Sequence, residues 1–182
     1  MKRSHIIREI VEIVAIIVLF ALVVHYVVQN FQATDTSMQP TFAANAQVMV
    51  NKTAYLFHPP ERGDVIVFHF PQDTRRVIIR RVIGLPGDTI RTNINQIIVN
   101  GVVLNEPYVR MPVNTVAKVW KVPADSYYVL SDNRTFNDDS RTWDSVPKSY
   151  IVGKAVLIYW PMSNWQLVNT YSATYTQIVA SQ

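Results

Sequence analysis

One serine of this chain stands where a nucleophile would be useful. Ser37 lies in the segment Thr34–Phe42, nine residues after an apolar run that ends at Val28. An extended chain rises about 3.3 Å per residue, so Ser37 lies at most roughly 30 Å from the end of that run. A serine hydroxyl attacks a carbonyl only when a base or another activating group lies beside it. Taken alone, a serine just before Pro40 is more often part of a turn.

The side chains that could activate such a serine are few. Histidine is the commonest general base, and His58 and His69 lie beyond the apolar run. Neither lies in a segment that we expect to face Ser37, so we favour surface or strand positions for both. The chain has no cysteine, which excludes thiol catalysis, disulfides and Cys-ligated zinc.

The charge of the chain gives little indication of a nucleic-acid partner. The formal net charge is +4, and no dense stripe of lysine and arginine with interleaved aromatic residues is present. A mild excess of this size is typical of a solvated surface. We therefore expect no nucleic-acid binding.

The apolar run Ile10–Val28 has the length of a membrane span. Only Glu12 and His25 interrupt it, each near one end. A bilayer core of about 30 Å needs about 20 apolar helical residues. Glu12 follows Arg8 by four residues, so the two side chains can pair on a helix. The run predicts a transmembrane anchor over residues 10–28.

The basic residues near the N-terminus predict the orientation of this anchor. They all precede the apolar run, and the next one in the chain is Lys52; they are Lys2, Arg3 and Arg8. This asymmetry places residues 1–9 in the cytoplasm and the rest of the chain outside the cell membrane, with a single pass. A cleaved signal peptide is the alternative, but no well-placed small-x-small pattern follows the run, so we favour a retained anchor.

Beyond the anchor, the hydrophobic pattern alternates as in strands. Asn100-Gly101 lies between two β-branched runs and predicts a tight hairpin in Gln96–Leu104. No long amphipathic helix follows residue 31. We predict one all-β domain over residues 32–162, with a polar tail at 163–182 that forms an edge strand or is disordered. The other expected strands are Gln47–Asn51, Asp64–Phe70, Val116–Val122, Ser126–Leu130 and Ile151–Trp160.

Four segments of the chain indicate what role Ser37 could have. They are Ser37–Phe42, Arg62–Phe68, Arg80–Asp88, and Ser131–Arg134 followed by Asp139–Trp143. Together they resemble the sequence boxes of the type I signal peptidase (leader peptidase) family in its short, Gram-positive-like form. Their order along the chain is the same, and the resemblance runs from the anchor to about Trp160.

The resemblance implies a signal-peptidase-type β domain with a Ser/Lys dyad. In that family the serine attacks a peptide carbonyl and a neutral lysine takes its proton. The implied substrates are the signal peptides of exported preproteins, cut after small residues at positions −3 and −1. The implied partners are these preproteins and the lipid bilayer, and no metal or other cofactor is expected.

The chain departs from the family at the base. Arg80 occupies the position of the family's lysine, and none of the six lysines of the chain lies in a box that would replace it. A guanidinium has a pKa above about 12 and no acceptor lone pair, so Arg80 is unable to act as a general base near neutral pH. We expect reduced or unusual activity.

Other departures lie near the same site. Asp35 stands two residues before the serine, where the family has a small residue, and its charge is expected to repel a developing oxyanion. An ion pair between Asp35 and Arg80 would explain both changes. Asn137 stands where some members have a serine that orients the lysine, whereas Asp139 and Arg141 match the family's scaffold.

Two functions remain open from the sequence. The first is a membrane-bound serine endopeptidase of the signal peptidase I type, supported by the four segments and an intact Ser37. The second is a catalytically silent homologue that binds or assembles surface proteins such as pilins, supported by Arg80 and Asp35. Under that alternative the surface-assembly machinery would be a further partner.

Overall fold

The computed structural model describes residues 2–93, 96–110 and 117–179. The N-terminal helix α1 covers Lys2–Val27, 26 residues in all, which corresponds to about 39 Å at 1.5 Å per residue. Its side chains are exposed from His5 to Tyr26, and His5–Val27 is long and apolar enough to cross a membrane. The pair expected between Arg8 and Glu12 is present at 2.8 Å.

The rest of the described chain is mainly β-structure. Its helical pieces are short: α2 (Ser140–Trp143), α3 (Thr176–Val179) and the 3-10 turns Lys148–Tyr150, Met162–Asn164 and Ser172–Tyr175. The strands, in chain order, are β1 (Val28–Ala33), β2 (Ala46–Asn51), β3 (Val65–Phe70), β4 (Asp73–Gly84), β5 (Thr89–Asn93), β6 (Gln96–Val99), β7 (Val102–Val103), β8 (Lys118–Lys121), β9 (Ser126–Leu130), β10 (Val146–Pro147), β11 (Ile151–Trp160) and β12 (Gln166–Leu167).

These strands form two antiparallel sheets. The larger sheet has the order β1-β2-β11-β3-β4-β9-β10, with β12 beside β11, and the smaller has the order β7-β6-β5-β8. The all-β prediction is confirmed. Strands β2, β3, β9 and β11 lie where they were expected, and the predicted strand Val116–Val122 is found at Lys118–Lys121, its first residue lying outside the described residues.

The predicted hairpin is also confirmed. Strands β6 and β7 pair through Val99 and Val102, with Asn100 at φ 50° and Gly101 at φ 86°. Positive φ at both central residues is the geometry that Asn-Gly favours in a tight turn. The Asn100 side chain adds a bond, because its Nδ2 donates to Asp88 Oδ1 at 2.8 Å.

Strand β1 follows helix α1 without a linker. Val28 pairs with Asn51 of β2, and the pairing continues to Ala33 opposite Ala46. The chain then turns into the loop that carries Ser37, and the buried side chains of Met38 and Phe42 fix this loop in the core. The Ser37 loop is thus held by the same sheet that begins at the end of the helix.

The tail packs on the domain. Of the two alternatives considered for it, an edge strand is found at Gln166–Leu167 on β11. Tyr175 and Ile178 are buried in the core, and Tyr175 Oη lies 2.7 Å from Tyr108 Oη. A Cβ built on Gly63 would lie 1.9 Å from the Thr170 carbonyl oxygen, so the tail crosses this glycine at a distance that only glycine permits.

Candidate active site

The Ser37 loop is anchored from two sides. Asp35 Oδ1 accepts a hydrogen bond from the Ser37 backbone N–H at 3.0 Å. The Asn133 backbone N–H donates to the Ser37 carbonyl at 2.8 Å. Ser37 itself is 0% exposed. The turn and the contact with Asn133 therefore hold the serine in one position before any substrate is bound.

The Ser37 hydroxyl lies between a carboxylate and a guanidinium. Its Oγ donates to Asp35 Oδ1 at 2.5 Å and accepts from Arg80 Nη1 at 2.8 Å. The direct ion pair that the sequence suggested between Asp35 and Arg80 is not found among the described ion pairs. The serine hydroxyl connects the two charges instead.

Arg80 is buried on β4 with one part of its guanidinium unused. Nη1 also donates to the Ile79 carbonyl at 2.6 Å, and Nε donates to the Asp138 carbonyl at 2.9 Å. Within the described part of the chain Nη2 has no hydrogen-bond partner, and the nearest carboxylate oxygen there, Asp138 Oδ2, is 3.8 Å away. Burial lowers the pKa of Arg80, and the carboxylates of Asp35, Asp139 and Asp138 oppose this effect.

The supporting residues predicted from sequence have separate positions. Asp139 and Arg141 pair at 2.7 Å, and Asp139 Oδ2 also accepts from the Ser131 N–H. Arg141 donates to the carbonyls of Arg134 and Phe136, so this pair shapes the loop next to the serine. Asn137 is exposed, and its carbonyl accepts from the Thr142 hydroxyl.

Two residues of the site were missed from the sequence. Asp138 supplies the contacts to Arg80, and Asn133 holds the Ser37 carbonyl. The signal for Asn133 was its place in the Ser131–Arg134 segment, and Asp138 directly precedes the second half of that box.

The two candidate histidines are exposed, and the Nδ1 atoms of His58 and His69 lie within hydrogen-bond distance of the carbonyls of Pro59 and Thr74.

The next residue on β4, Arg81, is a buried arginine of a different kind. It holds Asp132 through two bonds of 2.8 and 2.7 Å. It also donates to the carbonyls of Gly63 and Asn169, and its guanidinium lies 4.4 Å from the ring centroid of Tyr108. This cluster ties the loop after β9 to the tail.

A cleft runs beside the serine along an open strand edge. Strand β4 pairs with β9 only over Arg81–Gly84, so no strand of the described residues pairs with the preceding part of β4 on that side. A cavity of about 260 Å³ lies there. Its walls come from the end of β1 and from β4: Phe31, Ala33, Thr34, Asp35, Arg76, Val77, Ile78 and Ile79. An extended peptide can add to such an edge as a further strand.

Comparison with known proteins identifies the family. The family model described as "Signal peptidase, peptidase S26" matches residues 6–160. The chain belongs to this signal peptidase family. A signal peptidase I from Leptolyngbya laminosa is 41% identical over 134 residues, which cover 70% of this chain and 66% of the relative. A probable signal peptidase I-1 from Synechocystis sp. is 31% identical over 174 residues, which cover 91% of this chain and 89% of the relative.

The family members differ in length. The match to a probable signal peptidase I-2 from Synechocystis sp. covers 61% of that relative. The chain thus spans slightly less than two thirds of the length of some curated signal peptidases that it matches. A crystal structure of a signal peptidase I from Enterococcus faecalis is 31% identical with a TM-score of 0.47, covering 52% of this chain and 95% of that chain.

Proposed function

We propose that this signal peptidase family member is a membrane-bound serine endopeptidase that removes signal peptides from exported preproteins. Ser37 is the nucleophile, and cleavage follows small residues at positions −3 and −1. The observation that carries the proposal is the Ser37 hydroxyl held between Asp35 and Arg80, beside a cleft at the open edge of β4. Family membership supplies the substrate class.

The cleft supports an extended substrate. Ala33 and Thr34 form one wall and Val77 and Ile79 the other, so the walls next to Asp35 are small or β-branched. A peptide added along β4 would place alternate side chains towards these walls. Small residues fit a narrow cleft of this kind, which is consistent with the expected preference at −3 and −1.

The membrane anchor brings the substrate to the site. Helix α1 is exposed from His5 to Tyr26 and continues directly into β1, whose end leads to Ser37. We propose a single pass with the N-terminus in the cytoplasm and the β domain outside the cell membrane. An exposed apolar surface on the domain suits contact with the bilayer: Trp160, Met162, Trp165 and Leu167.

The orientation has a direct test. Protease added to intact cells or spheroplasts should digest the domain after Phe31 and leave a short cytoplasmic fragment with the helix. A domain that stays protected until the membrane is dissolved would contradict the proposed orientation.

The peptidase function is tested with the purified full-length chain in detergent micelles. It should cleave a model preprotein at a site with small residues at −3 and −1, as read from the product masses. Ser37→Ala should abolish this cleavage, and a preprotein with bulky residues at both positions should resist it. No Ser37-dependent cleavage would contradict the proposal and favour the binding or assembly function.

A further inference from the structure

The Ser37 site has a carboxylate in the place where a base must act. Asp35 Oδ1 is 2.5 Å from Ser37 Oγ, within the reach required of a general base. His58 and His69 are poorer candidates, because both are exposed and their Nδ1 atoms lie within hydrogen-bond distance of the carbonyls of Pro59 and of Thr74 on β4. Arg80 contacts the hydroxyl but has no lone pair to receive its proton.

We propose that Asp35 is the general base of this enzyme and that Arg80 assists it as a fixed cation at Ser37 Oγ. This inference rests on the proposed peptidase function and replaces the family's serine–lysine dyad with a serine–aspartate pair. Asp35 and Arg80, two positions at which the chain departs from the family, then act together on the Ser37 hydroxyl.

The step balances without a further reactant. The Ser37 Oγ–H bond breaks, its proton passes to Asp35 Oδ1, and Oγ bonds to the scissile carbonyl carbon while the carbonyl π electrons move to oxygen. Collapse of this intermediate breaks the C–N bond, and the leaving amine takes the proton from Asp35. Water then hydrolyses the acyl-enzyme, with Asp35 again accepting and returning one proton.

The charges of Asp35 and Arg80 are compatible with this sequence of steps. Asp35 loses its negative charge as the oxyanion gains one, so the repulsion expected between a carboxylate and an oxyanion does not develop. The Arg80 cation, 2.8 Å from Oγ, favours loss of the hydroxyl proton. A lysine at position 80 would be held in its charged form by Asp35 and would serve poorly as a base. Next to Asp35, an arginine at this position therefore loses nothing relative to a lysine.

Asp35 also has a structural contact, and the test must separate the two roles. Its Oδ1 accepts from the Ser37 backbone N–H at 3.0 Å, as in a turn capped by its own side chain. Asparagine keeps an acceptor oxygen at this place but is unable to take a proton. Asp35→Asn therefore removes the base and retains the turn.

Two readouts are needed so that the base and the peptidase function are tested separately. The first is kcat/KM for the model preprotein. The second is the rate at which a penem, a strained β-lactam that acylates activated serines, adds its mass to the Ser37 peptide. Asp35→Asn should lower both rates by about 10²–10⁴-fold, the usual contribution of a general base, with a nearly unchanged melting temperature.

Asp144→Asn is the matched control. Asp144 Oδ1 accepts from the Ser145 backbone N–H at 2.9 Å and from the Ser145 hydroxyl at 3.3 Å, so it makes the same kind of contacts as Asp35 at a different serine. Its effect on acylation should be below about tenfold, because Asp144 makes no described contact with Ser37 or Arg80 and no base is lost.

The outcomes separate the two proposals. Wild-type acylation that depends on Asp35, without cleavage of any preprotein, supports the base and contradicts the peptidase function. Wild-type cleavage with unchanged rates in Asp35→Asn supports the peptidase function and overturns the base. A wild-type Ser37 that is not acylated at all, or equal losses in Asp35→Asn and Asp144→Asn, would also overturn it.

Discussion

Two adjacent arginines of β4 are both buried, and they differ in what surrounds them. Arg81 is fully occupied by the Asp132 carboxylate, two backbone carbonyls and the ring of Tyr108. Its neighbourhood raises its pKa, because the attraction of Asp132 outweighs the cost of burial. Arg80 has one nitrogen with no hydrogen-bond partner among the residues that the structure describes, and burial lowers its pKa.

The difference separates a charge that supports the fold from one that contacts the proposed nucleophile. A buried charge that only supports the fold is usually paired and hydrogen-bonded, as Arg81 is. Arg80 donates one hydrogen bond to the Ser37 hydroxyl, and the side chain of the closest carboxylate, Asp138, is 38% exposed. Incomplete pairing at a buried cation is costly, so the site must be held by the surrounding structure.

The largest expected effect on stability comes from breaking the cluster of Arg81, Asp132 and Tyr108. Arg81→Met leaves the Asp132 carboxylate buried without its cation, and losses of about 3–5 kcal/mol are typical of such a change. Thermal unfolding should show a large drop in melting temperature or no folded protein. Arg80→Met is the matched variant and should cost less than half as much, since Asp138 can face solvent. Equal losses would remove the distinction between the two arginines.

The next effect concerns the base. Asp35→Gly should lose about 10²–10⁴-fold in cleavage, and Arg80→Lys added to it should recover part of that loss, because a lysine without the adjacent carboxylate can be neutral when buried. Arg80→Lys alone should keep most activity, since the cation and Asp35 both remain. Initial rates on the model preprotein decide this. A double variant no better than Asp35→Gly would show that the pocket does not tolerate a lysine base.

A second buried ion pair joins Arg62 and Asp88. Burial acts to raise the pKa of Asp88, but bonds from Arg62, Leu85 and Asn100 lower it overall. Because the folded pKa lies below that of the unfolded chain, about 3.9, this pair contributes stability above pH 4 and loses it as the pH falls further. Melting curves from pH 6 to 3 should fall more steeply in wild type than in Asp88→Asn. Parallel curves would contradict the assignment.

The smallest effect should come from the hairpin. Gly101 has φ 86°, and a Cβ there would meet no atom within 4 Å. Gly101→Val therefore suffers backbone strain alone, which costs on the order of 1 kcal/mol or slightly more. Gly101→Asn should be nearly neutral, since asparagine tolerates positive φ. Chemical denaturation measures both, and equal losses would point to a cause other than backbone conformation.

Local pattern predicted much of this fold. The strands β2, β3, β9 and β11 and the Asn100-Gly101 hairpin are encoded by alternation and turn chemistry over a few residues. Strand β4 was not assigned, because Arg75 and Arg76 break its alternation and only its second half is buried. The packing of the tail also depends on distant partners, such as Tyr108 for Tyr175.

The site was predicted in part. Ser37, Arg80 and Asp35 came from matching segments and from their departures, and the structure brings the three together. The way in which these three residues contact one another was not predicted from the sequence. The expected direct ion pair between Asp35 and Arg80 did not allow for the Ser37 hydroxyl, which lies between the two charges. Asp138 reaches Arg80 across 58 positions of sequence, and no local pattern encodes such a contact.

The pH dependence of Ser37 acylation tests the central claim most directly. A carboxylic acid ordinarily titrates near pH 4, whereas an ordinary lysine titrates near pH 10. With Asp35 as base, the rate of penem acylation in wild type should stay constant within about twofold from pH 6 to 9. The variant with Asp35→Gly and Arg80→Lys should instead accelerate over this range as its lysine loses a proton. A wild-type rate that rises with pH in parallel with that variant would contradict the serine–aspartate pair.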